Sequence, residues 1–473
     1  MTILSALRQV LAETAILTAP ADVAPHLTDW RGRYSGAAEC VVLPATTQEV
    51  AAVVKICATR GVPVLPQGGN TSLCGGAVPG GAARPVIINL SRMRRIRALD
   101  AANNTMVVEA GCVLATVQEA AAAAGRLYPI SLGAEGSCQI GGTIATNAGG
   151  TGVLRYGNTR ENILGLEVVL PDGSIWDGLY TLRKNNTGYD LKHLFIGAEG
   201  TLGIVTGAVL KLHPLPTAHA VAWLALETPE QALELLGLFQ AACSSRLSAF
   251  ELMNALQLQL VLDHVPGRRN PLAAGAPWHL LVELSDTGDE GELTATLERV
   301  LEQALRAGLV TDAVLASSEA QRAAMWLVRH SVSEANKKAG VGLTTDCAVP
   351  VSAVPAFLRS ATEAMRAVVP DLPAIVVAHM GDGNVHFIPF FTHAAWAALE
   401  NREEIAARVR AAVTDAGSAL GGTFSAEHGI GQTLVPEMAR RKPAVELALM
   451  RTLKAALDPA GLFNPGKLLP PAP

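Results

Sequence analysis

Three long glycine-rich stretches between residues 66 and 207 constrain the fold more than any other feature of the sequence. They read PQGGNTSLCGG (66–76), LGAEGSCQIGGTIATNAGG (132–150) and IGAEGTLGIVTG (196–207). Glycine mixed with Ser, Thr and Asn lets backbone N–H groups crowd around an anion, and the small side chains let the backbone approach it. A tight turn would explain one such stretch. Three together predict a site for a pyrophosphate-containing ligand.

None of the three stretches carries a common nucleotide-binding fingerprint. No G-x-G-x-x-G follows a predicted strand and no G-x-x-x-x-G-K-[ST] occurs, so neither a Rossmann domain nor a P-loop is predicted. The chain of 473 residues carries a net charge of −5. Without a basic domain to neutralise phosphates, a nucleic-acid partner is not expected.

The spacing of the cysteines and the hydropathy of the chain predict the cellular compartment of the protein. Seven cysteines are scattered along the chain without a C-x-x-C pair, which is typical of reduced thiols rather than of a disulfide framework. The N-terminus lacks the basic and apolar regions of a signal peptide, and no apolar run approaches the about 20 residues of a membrane span. A cytoplasmic protein is expected, with peripheral attachment to a membrane left open.

Short strands and helices alternate along the chain and divide it into four regions. MTILSALRQVLAE predicts an amphipathic helix in an N-terminal helical segment over 1–37. The strand CVVLP and the helix TTQEVAAVVKICATRG, which starts with a capping box, begin a region over 38–214 that ends at the prolines of KLHPLP. Alternating strands and helices then predict an α+β domain with an antiparallel sheet over 215–422, and a helical segment over 423–473 closes the chain.

The stretch AIVVAHMGDGNVHFIPFF (374–391) predicts a β-hairpin with two histidines on one face. Asp-Gly is among the strongest signals for a two-residue hairpin turn. A turn centred on Asp382 and Gly383 places His379 directly opposite His386, with Cβ atoms about 5 Å apart. This separation suits two imidazoles that bind one metal ion, although a single buried histidine is usually structural.

A third ligand would have to come from elsewhere in the chain. SAEHGIG (425–431) offers Glu427 beside His428. Two neutral imidazoles and one carboxylate leave open positions on Zn²⁺, as catalytic zinc sites require. On the pattern alone, Glu427 is equally well explained as a surface acid before a glycine turn.

Five stretches together resemble the FAD-linked D-2-hydroxyacid dehydrogenases, a family within the vanillyl-alcohol-oxidase type of flavoproteins. They are PQGGNTSLCGG, GSCQIGGTIATNAGG, RYG, RKNNTGYDLKHLFIGAEGTLGI and FNPGKL, in the family's order from about Ala38 to the C-terminus. The resemblance implies an α+β fold with a two-subdomain FAD-binding domain of the PCMH type. A substrate (cap) domain with an antiparallel sheet would follow, and a C-terminal segment would return to the flavin.

The resemblance also implies which residues hold FAD. The first stretch would hold the pyrophosphate through Pro66, Gly68, Gly69, Asn70, Thr71, Ser72 and Gly75. The second would run beside the ribityl chain and the isoalloxazine through Gly133, Ser137, Gly141, Gly142, Thr146 and Asn147, joined by Gly203, Ile204 and Asn464. Some relatives attach FAD covalently through a histidine in the first stretch. That stretch contains no histidine here, so non-covalent FAD is expected.

GDGN followed by His, and SAEHG, resemble the metal and catalytic motifs of the family. The resemblance implies His379, His386 and Glu427 as ligands of Zn²⁺ or another divalent metal such as Mn²⁺, and His428 as the general base. Such a metal acts on the substrate hydroxyl as a Lewis acid. A nearby imidazole with a pKa near the operating pH takes the hydroxyl proton.

The stretch MWLVRHSVSEANKK (325–338) predicts a helix that carries Arg329 and Ser333 on one face. It resembles the family's substrate helix, where an Arg followed by Ser or Thr binds a carboxylate; without the resemblance, a solvated helix charge explains the Arg as well. The D-2-hydroxyglutarate branch has Lys at Thr344 and Asn at Ile388, whereas the D-lactate branch tolerates small or apolar groups there. The flavin stretches and LSAFELMN nevertheless resemble the D-2-hydroxyglutarate branch.

These features predict an FAD- and metal-dependent dehydrogenase that oxidises a D-2-hydroxy acid to the 2-oxo acid by hydride transfer to flavin N5. D-2-Hydroxyglutarate, giving 2-oxoglutarate, is the first candidate substrate, and D-lactate or another short or apolar D-2-hydroxy acid is the alternative. Among enzymes, the alternative hypothesis is a metal-free flavoprotein oxidase that uses O₂. Among proteins without catalytic activity, the alternative is a flavin- or metal-binding protein. Since no NAD fingerprint is present, electrons are expected to pass to an electron-transfer flavoprotein, a quinone or a cytochrome. A homodimer is one option for the assembly.

Overall fold

The prolines of KLHPLP lie where the chain passes from one unit of the structure to the other. The computed structural model describes residues 2–81 and 83–471. The first unit consists of Met1–Gly150, Tyr156–Leu215 and Glu427–Pro473, and the second of Thr151–Arg155 and Pro216–Ala426. The sequence placed boundaries after residues 214 and 422; the second unit begins at Pro216 and continues to Ala426.

The elements are numbered in chain order. The strands are β1 (Ile16–Leu17), β2 (Cys40–Val42), β3 (Val64–Gln67), β4 (Val86–Asn89), β5 (Ile96–Asp100), β6 (Thr105–Glu109), β7 (Arg126–Leu127), β8 (Ile163–Val169), β9 (Ile175–Gly178), β10 (Ile204–Lys211), β11 (His213–Pro214), β12 (Ala218–Leu226), β13 (Leu247–Asn254), β14 (Trp278–Asp286), β15 (Asp312–Leu315), β16 (Gly340–Gly342), β17 (Cys347–Ala348), β18 (Ala374–His379) and β19 (Asn384–Thr392). The α-helices are α1 (Ile3–Leu7), α2 (Pro20–Leu27), α3 (Thr47–Arg60), α4 (Leu114–Ala123), α5 (Ile140–Thr146), α6 (Val153–Tyr156), α7 (Lys192–Phe195), α8 (Pro229–Cys243), α9 (Ala255–His264), α10 (Glu290–Arg306), α11 (Glu319–His330), α12 (Val332–Ala339), α13 (Val354–Val368), α14 (His393–Ala397), α15 (Arg402–Ala419), α16 (Val435–Arg441) and α17 (Ala444–Leu457).

The first unit is built on two larger sheets, and β7 and β11 form a short two-stranded pair in addition. In one, β2, β4 and β3 run parallel and β1 pairs antiparallel with β2. Every residue of β2 and β4 is buried, as expected of parallel strands covered on both faces. The other sheet is antiparallel, in the order β5-β6-β10-β8-β9. The first glycine-rich stretch follows β3, the second surrounds α5 and the third leads into β10, so both sheets help to position these loops.

The second unit is an antiparallel sheet in the order β15-β12-β14-β13-β18-β19-β16, with β17 paired to β19. Side chains alternate between its faces. In β14, Leu280 and Val282 pack into a cluster with α8, α10, α13 and α15, whereas Leu281 packs on the other face with α9, α11 and α12. The predicted α+β class and the antiparallel sheet of this region are confirmed.

The helix predicted after CVVLP is confirmed as α3. The Thr46 side chain accepts the N–H of Glu49 at the start of the helix. The helix ends at Gly61, whose φ of +63° is left-handed. A polar cap at the start and glycine at the end satisfy backbone groups that the helix itself cannot pair.

The predicted N-terminal amphipathic helix is wrong in length. α1 covers only Ile3–Leu7, and Ile16 and Leu17 form β1 against β2, with Ile16 opposite Val42. After Leu7, the N–H groups of Gln9 and Val10 bond to carbonyls only three residues back, so the α-helix gives way to a tighter turn before the chain reaches β1.

The predicted helix over 325–338 is interrupted at Ser331, between α11 and α12. The Ser331 hydroxyl donates to the carbonyl of Leu327 and accepts from Nε of Arg268, at 2.6 and 2.9 Å. Because Arg268 is remote in sequence, the sequence of the helix alone did not predict its bond to Ser331. Serine side chains that bond to the backbone compete with a regular helix, and α12 begins at Val332.

None of the helices within 2–81 and 83–471 carries the long apolar run that would cross a bilayer.

Candidate functional site

The three glycine-rich stretches come together in the first unit. A Cβ on Gly69 would lie 2.0 Å from the carbonyl oxygen of Ser137, so only glycine allows the first stretch to touch the second. The third stretch bonds to the second, because the N–H groups of Gly197 and Glu199 donate to the carbonyls of Ile144 and Ala145, at 2.9 and 2.8 Å. Loops separated by many residues thus form one backbone-rich surface.

The backbone of this surface adopts left-handed conformations at residues other than glycine. The φ angles of Asn70, Asn147, Glu199 and Asn464 are +53°, +50°, +49° and +44°. Such conformations are costly for side chains with a Cβ, and they concentrate at functional sites. Three of the four residues belong to the set predicted to hold FAD.

Buried polar atoms provide a test of whether this surface fits a cofactor. Oδ1 of Asn70, Oε1 of Gln139 and Oδ1 of Asn464 are buried without a hydrogen-bond partner among the described residues. Buried acceptors are nearly always paired, and the ribityl hydroxyls and ring N–H of a flavin are donors. The donor and acceptor chemistry of the surface therefore fits FAD.

The predicted FAD-binding residues all lie in the first unit, but two of them are explained by packing. Ile204 is buried in the apolar core at the start of β10. A Cβ on Gly203 would lie 2.7 Å from Cγ1 of Val168. The small size of Gly203 thus brings β10 close to its neighbouring strand β8.

Glu199 joins the C-terminal segment to the loops, and the sequence prediction missed it. Its carboxylate accepts the N–H groups of Ile430 and Gly431, both at 2.7 Å. Asn464 donates to the carbonyl of Glu199 at 2.8 Å and to that of Gly76 at 3.1 Å. Burial raises the pKa of Glu199, although the two N–H groups oppose the rise. A carboxylate inside a glycine-rich stretch is the signal that could have identified it.

The histidine hairpin is formed by β18 and β19, but its predicted register is wrong. His379 pairs with Asn384 and His386 with Val377, so residues 380–383 form the turn. The carbonyl of His379 accepts the N–H groups of Asp382 and Gly383, both at 3.2 Å, which widens the turn beyond two residues. Because the register differs by two, both histidines stay on one face, as diagonal neighbours.

The two imidazoles lie close enough together to share a divalent metal. Their ring centroids lie 5.6 Å apart with planes inclined by 81°. A nitrogen of each ring lies within 4.8 Å of a nitrogen of the other. A tetrahedral metal with Zn–N bonds of about 2 Å holds two nitrogens about 3.4 Å apart. The pair therefore fits a shared metal, and each ring is largely buried.

Glu251 and Arg329 surround His379 on the same sheet face. Oε1 of Glu251 lies 2.7 Å from Nδ1 of His379. Oε2 of Glu251 accepts from Nε of Arg329 at 2.8 Å and lies 2.7 Å from its Nη2. Burial acts to raise the pKa of Glu251, but His379 and Arg329 outweigh it and hold this pKa well below its usual range. The sequence prediction missed Glu251, although a lone carboxylate in the apolar strand LSAFELMN was a usable signal.

Arg329 and Ser333 are not presented together as predicted. Arg329 is buried near the end of α11 and pairs with Glu251. Ser333 is exposed in α12, beyond the break at Ser331. Only Arg329 lies beside the histidine pair.

Asp346 lies beside His386 and was also missed. Its Oδ1 is 3.7 Å from Nδ1 of His386 and accepts from Nδ2 of Asn384 at 3.1 Å. Its Oδ2 accepts the N–H of Ala426 at 3.1 Å. This bond fixes the last residue of the second unit beside Asp346.

Glu427 and His428 begin the C-terminal segment of the first unit. Oε1 of Glu427 accepts the N–H of Gly150, the last residue of the second glycine-rich stretch, at 2.9 Å. Both side chains are half-buried. Within the first unit, therefore, Glu427, which is predicted as a metal ligand, adjoins a loop predicted to hold FAD, and the predicted base His428 is the next residue along the chain.

Comparison with known proteins gives a consistent result over the whole chain. Residues 38–178 match the family described as FAD binding domain, and residues 215–468 match FAD linked oxidases, C-terminal domain. The chain is 36% identical to the mitochondrial D-2-hydroxyglutarate dehydrogenase of Arabidopsis thaliana, over 98% of this chain and 80% of that protein. It is 37% identical to the D-2-hydroxyglutarate dehydrogenase of Xanthomonas citri pv. viticola, over 98% of this chain and 96% of that protein.

A solved structure shares the fold at low sequence identity. p-Cresol methylhydroxylase with substrate bound superposes with a TM-score of 0.74 and 16% identity, over 98% of this chain and 96% of that chain. The likeness confirms the predicted flavoprotein fold and carries no further inference about the substrate.

Proposed function

The chain belongs to the FAD-linked D-2-hydroxyacid dehydrogenases, and on this premise we propose that it oxidises D-2-hydroxyglutarate to 2-oxoglutarate with the help of a divalent metal. The observation that carries the proposal is the pair of imidazoles, His379 and His386, on one sheet face beside the buried Glu251 and Arg329. Two facing imidazoles and a cationic side chain suit a substrate that carries a hydroxyl next to a carboxylate.

The proposed metal ligands are His379, His386 and Glu427. The geometry of the histidine pair supports the first two. Glu427 directly follows Ala426, whose N–H bonds to Asp346 beside His386, and this connection supports the third. A divalent metal such as Zn²⁺ or Mn²⁺ supplies a Lewis acid for the hydroxyl oxygen when it is bound there.

His428 is the proposed general base. In this role its imidazole takes the hydroxyl proton as the C2–H bond breaks. Bound FAD, non-covalent because the first glycine-rich stretch offers no histidine for attachment, supplies the hydride acceptor. Reoxidation by an electron-transfer flavoprotein, a quinone or a cytochrome is proposed to complete the cycle.

Arg329 is proposed to hold a substrate carboxylate with donors that Glu251 does not use. Glu251 takes Nε and Nη2, and a guanidinium has further N–H groups for a second anion. Ser333 is exposed, and its part in the proposal comes from the sequence resemblance alone.

Ile388 favours the alternative substrates, D-lactate or another short or apolar D-2-hydroxy acid. It lies two residues beyond His386 on the same sheet face, 7% exposed, in an apolar cluster with Ile375 and Phe390. An apolar surface beside the histidine pair offers no donor to a second carboxylate. Thr344, half-buried in the segment before Asp346, has a short side chain without charge.

Anaerobic bleaching of the flavin by a panel of D- and L-2-hydroxy acids tests the proposal and separates the two substrates. We expect D-2-hydroxyglutarate to bleach the flavin, D-lactate to act at least about tenfold more slowly, and the L-acids to be ineffective; a tenfold difference is about 1.4 kcal/mol in transition-state binding. Faster bleaching by D-lactate would establish the alternative substrate. Bleaching by none of the D-acids would contradict the dehydrogenase assignment.

A further inference from the structure

We propose that Glu251 is a positioning residue that holds the proton of His379 on Nδ1 and thereby leaves Nε2 to bind the metal. The inference rests on the metal site proposed above and adds to it a residue that does not itself touch the metal. Two observations support it: the pairing of β13 with β18 places Glu251 beside His379, and the guanidinium of Arg329 bonds to the carboxylate of Glu251.

Strand pairing fixes the distance between the carboxylate and the imidazole. Glu251 in β13 is directly opposite His379 in β18, and directly opposed residues of antiparallel strands have Cβ atoms about 5 Å apart on one face. Oε1 of Glu251 lies 2.7 Å from Nδ1 of His379. The side chain of Glu251 is only 2% exposed, so water does not compete for this contact.

Arg329 determines which of the two partners donates. Its Nε donates to Oε2 of Glu251 and its Nη2 lies 2.7 Å from the same oxygen, and arginine remains a cation in proteins. A carboxylate beside a buried cation stays ionised and can only accept hydrogen bonds. In a neutral imidazole that binds a metal, the proton must then lie on Nδ1, facing Oε1, and Nε2 carries the lone pair.

This arrangement is the one that metal-binding histidines generally use. Such a histidine donates its other ring N–H to a carboxylate or carbonyl, which fixes the tautomer and the ring orientation. Loss of such a partner typically weakens metal binding by about 10–100-fold. A buried ion pair that served stability alone would affect folding but would leave metal affinity unchanged.

The nearly isosteric substitution Glu251→Gln separates these two roles. Because Arg329 presents only donors, the amide oxygen of Gln is expected to face Arg329, and the amide NH₂ to face His379. Nδ1 must then accept a hydrogen bond, which moves the imidazole proton to Nε2. We expect Zn²⁺ affinity to fall by about 10–100-fold, measured by titrating Zn²⁺ alone into FAD-loaded protein that has been stripped of metal.

Glu283→Gln is the matched control. Glu283 is a largely buried carboxylate in the neighbouring strand β14, and it accepts from Nε1 of Trp326 at 2.7 Å and from Oγ of Ser248 at 3.0 Å. The environment of Glu283 is similar to that of Glu251, but Glu283 has no bond to His379. Its substitution is expected to lower thermal stability while Zn²⁺ affinity stays within about twofold of the wild type, since its partners are Trp326, Ser248 and His219 and not His379.

The visible spectrum of Co²⁺ bound in place of zinc is the second measurement, because it reports on the ligands themselves. Glu251→Gln is expected to change the Co²⁺ spectrum, and Glu251→Asp, which keeps a carboxylate, to bind Zn²⁺ more tightly than the Gln variant does. Should the Gln variant fail to retain FAD, the Asp variant is compared with Glu283→Gln instead. Wild-type affinity and an unchanged spectrum in the folded Glu251 variants would overturn the inference. If His379→Ala also binds Zn²⁺ like the wild type, the metal site proposed above is itself wrong.

Discussion

His379→Ala is expected to lose the bound metal and flavin reduction together while it retains FAD. His379 lies at the end of β18, where its ring faces that of His386 and bonds to Glu251. Removal of a direct ligand should weaken metal binding by more than the about 10–100-fold that loss of an outer partner causes. Metal content and anaerobic reduction rate, measured on the same preparation, test this result.

The matched control for His379 is His219→Ala. His219 is a partly buried histidine of the same sheet, in β12, and lies 3.6 Å from Glu283. This variant should keep both metal and activity, since it removes a histidine from the sheet without removing a proposed ligand. Full metal occupancy in His379→Ala would refute the ligand assignment, whatever the control shows.

His428→Ala is expected to keep both FAD and metal and yet to reduce its flavin about 10²–10⁴-fold more slowly, the usual contribution of a general base. The proposed ligands are untouched by this change, so the loss should lie in the reduction step rather than in assembly of the site. Stopped-flow reduction by saturating substrate measures that step directly.

His193→Ala is the control for the base. His193 lies in α7 of the same unit with its side chain 41% exposed, and its removal should leave the reduction rate near that of the wild type. Near-normal reduction by His428→Ala would exclude His428 from the base role and would leave the metal assignment intact.

Sequence patterns correctly predicted those features of the fold and of the candidate site that depend on residues close together in the sequence. The three glycine-rich stretches were recognisable because close backbone approach demands glycine, as the contact between Gly69 and Ser137 illustrates. The alternation of side chains in β18 and β19 predicted that His379 and His386 lie on one face. This prediction stayed correct although the predicted register was wrong, because a shift by two residues does not change the face on which a side chain lies.

Contacts between remote residues account for the failures. The turn at 380–383 is bonded to a remote residue, since the N–H of Val349 donates to the carbonyl of Gly383 at 3.1 Å, and the Asp-Gly signal does not specify this contact. The break at Ser331 involves Arg268. Glu251 contacts His379 only because β13 pairs with β18. Glu199 accepts the N–H groups of Ile430 and Gly431, which are 231 and 232 residues away in the sequence.

Anaerobic reduction of the flavin by the best D-2-hydroxy acid tests most directly whether the flavin and the metal act together. The reduction is measured in three states of one preparation: as purified with its metal, after removal of the metal, and after Zn²⁺ is restored. We expect bleaching in the first state, little in the second and recovery in the third, with FAD retained throughout. Equally fast bleaching in all three states would contradict the central claim that the flavin and a metal act together on the same hydroxy acid.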